Sequence, residues 1–184
     1  YNSLDNAKNN GISFVSGDRK KEGILPNLSI YENLVVPLYK KTSRGGFLGF
    51  VDWLELNGIF DWEVDRLSIK TGPRDNLIGS LSGGNQQKVM IARSFAQHPK
   101  VLILNDPARG IDVSTKRDLY IHLRNYVEEG NTVVFLSSEL EEFIGLCPKV
   151  MVFRNGTVFD IFENEKVNAD TLLEGMFGQT AGIG

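Results

Sequence analysis

The chain's 184 residues suffice for one domain, or a core with a subdomain, able to bury roughly 70% of its unfolded surface. Hydrophobic (41%) and charged (23%) contents are ordinary for a globular protein, and a net charge of −3 gives no global attraction to nucleic acid. No apolar run approaches the roughly 20 residues needed to span a bilayer, and the single cysteine, Cys147, excludes an internal disulfide and fits a reducing compartment.

The first ten residues, YNSLDNAKNN, are polar, lack the apolar stretch of a signal peptide and carry no initiator Met, which suggests a piece of a longer polypeptide. Gly11-Ile12-Ser13-Phe14-Val15 is a β-prone run ended by the turn residues Ser16-Gly17-Asp18. A basic loop, Arg19-Lys20-Lys21, follows, diluted by acidic neighbours. Ser29 with Glu32 three residues on is a capping box that opens a helix, and Pro37 limits it. Apolar spacing predicts further helices over 47–57 and 63–69, with Trp53 and Trp62 as core residues.

Periodicity from Val89 through Ala96 predicts a helix over 84–97. The apolar run Val101-Leu102-Ile103-Leu104 predicts a strand buried on both faces. Ser114 is the expected cap of a helix to about Glu129, stopped by Gly130. Thr132–Leu136 is expected to be another buried strand, and residues 139–146 a short helix before Pro148. Asn155-Gly156 between two β-prone runs is a hairpin signal, and Ala169–Phe177 a last helix stopped by Gly178. Alternating strands and helices imply an α/β fold around a parallel sheet.

The chemistry concentrates in Leu81-Ser82-Gly83-Gly84-Asn85-Gln86-Gln87. Two glycines leave backbone N–H groups uncovered where a helix begins. A helix N-terminus carries about half a positive charge and unpaired donors, which suits a phosphate oxygen. Taken alone, the stretch reads sooner as a capped helix after a Gly-Gly turn than as a phosphate site. No GxxxxGK[ST] loop occurs in the sequence, so only half of a phosphate site is written here.

The longer stretch LSGGNQQKVMIARSFAQHPKVLILNDPARGIDVSTK resembles the signature motif, Walker B strand and D-loop of ATP-binding-cassette ATPases. GDRKKEG, NQQK, RGID, SSELEE and the VFRNG hairpin make the chain similar to the second cassette of the tandem ATPases that drive bacterial sugar importers. The resemblance runs from about Asn10 to Gly178. It implies a partial P-loop NTPase fold, a parallel sheet core with a helical signature subdomain. It divides the chain into 1–37 (Q-loop strand), 38–97 (helical subdomain with the signature) and 98–184 (core part with Walker B, D-loop, switch region and hairpin).

In such cassettes the nucleotide lies between two halves, one supplying Walker A and the other the signature. The resemblance therefore implies that Leu81, Ser82, Gly83, Gly84 and Gln86 meet ATP held by a partner cassette, and it explains the absent Walker A loop by truncation. Asn105 and Asp106 fall on the paired acidic positions that hold Mg²⁺ and the attacking water, leaving Asp106 as the residual catalytic carboxylate. Gly17 takes the Q-loop position and Ser138 the switch position, while His98 and His122 are expected on the surface. Asp112 is either the D-loop residue at the interface or a plain helix N-cap. Phe47, Phe50 and Trp53 are candidates to receive a permease coupling helix, or else pack internally.

The implied function is the ATP-binding part of a monosaccharide importer at the cytoplasmic face of a bacterial membrane. Its partners would be the other cassette, permease subunits and, indirectly, a sugar-binding protein, with no nucleic acid. The neutral Asn105, Gly17 and missing Walker A imply that the isolated chain does not turn over ATP. They leave open a regulatory cassette that only completes a partner's site. A cassette of translation or chromosome maintenance fits RKKEG and NQQK less well.

Overall fold

In the computed structural model, which describes residues 3–39, 43–44 and 50–177, Ser3 opens the first helix, α1 (Leu4–Asn9), by accepting the Asn6 N–H. Gly11, at φ +73°, turns the chain into β1 (Ile12–Val15). The capping box closes as expected at α2 (Ile30–Val35): the Glu32 N–H donates to Ser29 Oγ, and the Ser29 N–H donates back to Glu32 Oε2 at 2.8 Å. A 3₁₀ turn at Val36–Leu38, containing Pro37, ends the run. Two dipeptides then pair antiparallel, β2 (Ser43–Arg44) with β3 (Phe50–Val51). Phe47 lies outside the described residues, as do Gly178 and the side chain of Phe50.

One helix, α3 (Trp53–Arg66), replaces the two expected over 47–57 and 63–69. Asp52 caps it by accepting the Glu55 N–H at 3.0 Å. The buried positions Leu56, Phe60, Glu63 and Leu67 recur every three or four residues, so one stripe faces the core. Trp53 and Trp62 sit off that stripe and are 57% and 66% exposed, which corrects their expected place in the core.

The helix α4 (Gly83–Phe95) leads into β4 (Val101–Asn105), then α5 (Val113–Glu128) and β5 (Thr132–Leu136). The cap of α5 is Asp112, not Ser114: its carboxylate accepts the Thr115 N–H at 2.9 Å, and a carboxylate is the stronger acceptor at a helix N-terminus. Gly130, at φ +91°, ends the last turn as the sequence requires. His98 sits exposed in the turn after α4 at φ +50°; His122, expected at the surface, is half-buried on α5.

The three longer strands form a parallel sheet ordered β1-β4-β5. Ile12 to Val15 stand opposite Val101 to Leu104, and Val101 to Asn105 opposite Thr132 to Leu136. Leu102 and Leu104 are fully buried with Ile91, Phe95 and Leu34, each worth roughly 2 kcal/mol of transfer free energy. The opposite face is more open. Phe14, Val134 and Leu136 remain 57%, 40% and 45% exposed, so β5 is a half-covered edge strand, not the buried strand expected.

The chain divides after Leu136 into a second compact unit that starts at Ser137. Here the expected helix at 139–146 is only a 3₁₀ turn, Leu140–Glu142; Gly145, at φ +74°, and Pro148 break its continuation. The hairpin of β6 (Lys149–Arg154) and β7 (Thr157–Glu163) turns on Asn155 and Gly156, both at positive φ as a tight hairpin demands. The last helix, α6 (Ala169–Phe177), packs Gly175 against Phe162 so closely that a Cβ there would lie 2.9 Å from the ring. Val150, Val167 and Leu172 form this unit's own core. Among the described residues, no helix is long and apolar enough to cross a membrane.

Candidate functional site

Parallel strands end together, and ligands of open α/β sheets bind outside those ends. Here the carboxyl ends of β1 and β4 carry Gly17 and Asn105-Asp106 in contact. A Cβ on Gly17 would stand 2.8 Å from the Asn105 carbonyl oxygen and 3.3 Å from Asp106 Cβ. Gly17 is therefore required by space, not by its backbone angles. Asp106 adopts φ +43°, a left-handed conformation that Asp tolerates better than most residues. Its N–H donates to the Leu136 carbonyl at 2.8 Å and its carbonyl accepts from the Arg109 N–H at 3.1 Å. Both Asn105 and Asp106 are half-buried.

The signature turn lies at the start of α4. Ser82 is the N-cap and is exposed; Asn85 Nδ2 donates to its hydroxyl at 3.0 Å, and the Asn85 N–H approaches the same oxygen at 3.4 Å. Gly83 is half-exposed, whereas Gly84 is buried against Thr115, whose Cγ2 would lie 3.2 Å from a Cβ at 84. The first turn of a helix has no internal acceptors for its N–H groups, so this end of α4 retains its anion-binding character. Leu81 is a core residue at 9% exposure and anchors the turn from below. Gln86 points inward: its carboxamide donates to the Leu81 carbonyl at 2.9 Å and approaches that of Ile78 at 3.5 Å, bracing the loop before the turn.

Thr115 joins the turn to Asp112. The exposed Asp112 carboxylate accepts from Ser114 Oγ at 2.6 Å, from Thr115 Oγ1 at 2.9 Å and from the Thr115 N–H. These bonds, the Ser114 hydroxyl first, hold its pKa far below the usual carboxylate range. The N-cap reading of Asp112 is thus satisfied in full, and the D-loop reading is compatible with it because the residue stays on the surface. Ser138 is exposed at the start of the second unit, beside Ser137, whose hydroxyl donates to Glu142 and accepts the Glu139 N–H.

Sequence reasoning passed over Arg19 and Thr115. Arg19 Nη1 donates to the Gly83 carbonyl at 2.9 Å, and its guanidinium covers the face of Gly83. A signal existed in GDRKKEG, but a charge run usually marks a solvated surface, and nothing local shows that one of its members reaches residue 83.

A Mg²⁺ site needs one or two carboxylates in addition to phosphate oxygens. Among the described residues, no group of three His, Cys, Asp or Glu side chains is placed to hold a metal. At the end of β4, Asn105 is neutral and Asp106 stands next to it with a carboxylate. Asp106 would supply the carboxylate of a weak Mg²⁺ site there, with phosphate oxygens completing it.

Comparison with known proteins gives a consistent picture. The family model for ABC transporters matches residues 5–109. The chain is 37% identical over 163 residues to the ribose import ATP-binding protein RbsA of Bacillus cereus, covering 88% of this chain and 32% of that protein. It is 36% identical over 167 residues to the protein of the same name from Roseobacter denitrificans, covering 91% and 32%. The chain thus spans about a third of the length of these relatives. Among solved structures, a dimeric ATP-binding cassette in a post-hydrolysis state with ADP and Pi superposes with a TM-score of 0.73, at 22% identity, over 88% of this chain and 67% of that one. That likeness carries the α/β cassette fold.

Proposed function

The chain belongs to the ABC transporter family, and from that premise we propose that it serves as the signature half of a composite ATP site in a bacterial sugar importer. The observation that carries this reading is the Ser82-Gly83-Gly84 turn at the start of a 13-residue helix, with Ser82 exposed, Gly83 half-exposed and Gly84 packed beneath them on Thr115. The Ser82 hydroxyl and the first-turn amides complement phosphate oxygens of a triphosphate gripped by the Walker A loop of another cassette. Leu81 and Gln86 hold the turn's shape. Asp112, at the cap of α5, faces the companion cassette. The functional divisions 1–37, 38–97 and 98–184 follow from this assignment.

ATP is the substrate of the parent assembly, and the reaction is in-line attack of water on the γ-phosphate. This chain's share is to close over the phosphate, exclude water and hold the terminal oxygens with fixed dipoles. Asp106 is the carboxylate it carries at the β4 end, one methylene shorter than the family's usual Glu, and a displacement of about 1 Å costs on the order of 10²-fold in rate. The names of the relatives support ribose or a similar monosaccharide as cargo. Permease subunits, a sugar-binding protein and a peripheral position on the cytoplasmic side of the membrane belong to the same proposal. Exposed Trp53 is the described candidate for contact with a permease.

A second reading, a regulatory cassette that never hydrolyses ATP at its own site, is favoured by the Gly17 packing, which leaves no room for a Q-loop side chain. Sedimentation of the chain with a Walker-A-bearing cassette tests the main reading. We expect association that depends on ATP and weakens in Ser82→Ala; equal sedimentation with and without ATP would refute it. The isolated chain is expected to show negligible ATPase activity, and Mg²⁺-dependent turnover would contradict that.

A further inference from the structure

The segment between β1 and α2 is fastened at three points. At its start, Gly17 lies against the Asn105 carbonyl and Asp106. At its end, Gly23 packs on Met90, where a Cβ would collide with the thioether, and the Gly23 carbonyl accepts from the Arg93 guanidinium. Between them, Ser16 donates to Glu22 Oε2 at 2.6 Å and Asp18 accepts the Lys21 N–H at 3.1 Å, which stiffens a π-helical turn over Arg19–Gly23. Arg19 leaves that turn and reaches Gly83, 64 residues away in sequence. The strap therefore joins the acidic end of β4 to both ends of the signature helix.

Arg19 holds one particular peptide. The Gly83 carbonyl it bonds at 2.9 Å belongs to the same planar unit as the Gly84 N–H. Fixing the oxygen fixes the direction of that N–H, which points out of the helix N-terminus. A cation on the carbonyl also polarises the peptide and strengthens its N–H as a donor. The guanidinium lies flat on Gly83: a Cβ there would be 2.9 Å from Nη2, 3.3 Å from Nη1 and 3.4 Å from Cζ. Arg19 Nε is buried without a hydrogen-bond partner, so stability alone does not account for the pose.

We propose that Arg19 is a positioning residue that aims and polarises the Gly84 amide and ties it to the Gly17–Asp106 contact. The inference rests on the reading of the Ser82–Gly84 turn as the phosphate-facing element. It gives the first glycine of the motif a stated job: Gly83 is the only residue type that lets the guanidinium lie against the backbone.

The test uses the full chain and three variants, Arg19→Ala, Arg19→Lys and Gly83→Ala, with two readouts. The first is amide hydrogen exchange at Gly84 in the chain alone; the second is ATP-dependent association with a Walker-A-bearing cassette. Arg19→Ala is expected to slow base-catalysed Gly84 exchange several-fold, because the amide loses the cation that makes its N–H more acidic, and to weaken association at least tenfold, with Arg19→Lys restoring part of each. Gly83→Ala displaces the guanidinium, so it should match Arg19→Ala, and the double variant should add nothing further. Should Arg19→Ala not fold, Gly83→Ala alone carries both readouts. Unchanged Gly84 exchange, or additive effects of the two substitutions, overturns the proposal. If the unaltered chain fails to associate with ATP present, the reading of the turn fails, and Gly84 exchange still decides Arg19's role.

Discussion

Two ends of secondary structure face the same side of the sheet's chemistry and have fared differently. The start of α4 has the small residues and the exposed hydroxyl that the proposed phosphate-facing turn requires. The end of β4 has a neutral Asn105, a shortened Asp106 in a left-handed conformation, and the backbone of Gly17 pressed against both. The first region needs only backbone dipoles, which any sequence supplies if side chains stay away. The second needs charge and length, which specific side chains must supply. On the proposed reading, half a catalytic site can persist as a binding surface when its donors are main-chain groups.

Substitutions sharpen or break this contrast, and the largest expected effect lies outside both regions and sets the background. Glu63 is buried on α3, with Arg66 Nη1 at 3.9 Å from one oxygen and the other oxygen unpartnered. Burial pushes its pKa up to about 7, while Arg66 pulls it down less. The folded pKa is raised, so the stability it confers is complete below pH 4.5 and is lost as pH rises through 7, by on the order of 3 kcal/mol. Urea unfolding at a series of pH values should show that decline, and Glu63→Gln should flatten it. A neutral-pH transition therefore does not report on either end of the site.

Gly17→Gln comes next. Its Cβ meets a backbone oxygen that cannot step aside, so a loss of about 1–3 kcal/mol in urea unfolding is expected. No loss would mean that the β4 end has room for the missing side chain, and the contrast would fall. Gly83→Ala meets only the tip of Arg19 and should cost less than about 1 kcal/mol by the same measurement while impairing association. The smallest effect belongs to Asp112. Its lowered pKa makes its contribution complete above about pH 4 and progressively lost as pH falls further, so Asp112→Asn should remove part of the acid dependence.

The order of strands and helices was legible because strong signals are local. Ser29 with Glu32, the apolar run at 101–104, Gly130 and Asn155-Gly156 each act within a few residues, and each produced the expected element. The failures are those of partner and position. The Trp53 and Trp62 side chains fell on the wrong face because the true stripe runs through Leu56, Phe60 and Glu63, and a buried glutamate breaks an apolar pattern. Ser114 lost the cap to Asp112 because a hydroxyl two residues inside cannot compete with a carboxylate already poised. At the candidate site, the helix start at Ser82-Gly83-Gly84 could be read directly, but Arg19 on Gly83 and Thr115 on Gly84 are tertiary contacts with no trace in spacing.

The most direct test of the central claim is to follow the backbone amide resonances of residues 82–86 while a Walker-A-bearing cassette and ATP are added to the chain. The account predicts large shifts at Gly83 and Gly84 that require both additions, and smaller ones at Gly17 and Asp106. Shifts centred on Gly17 and Asp106 with Gly83 and Gly84 unmoved, or no shift anywhere, would contradict it.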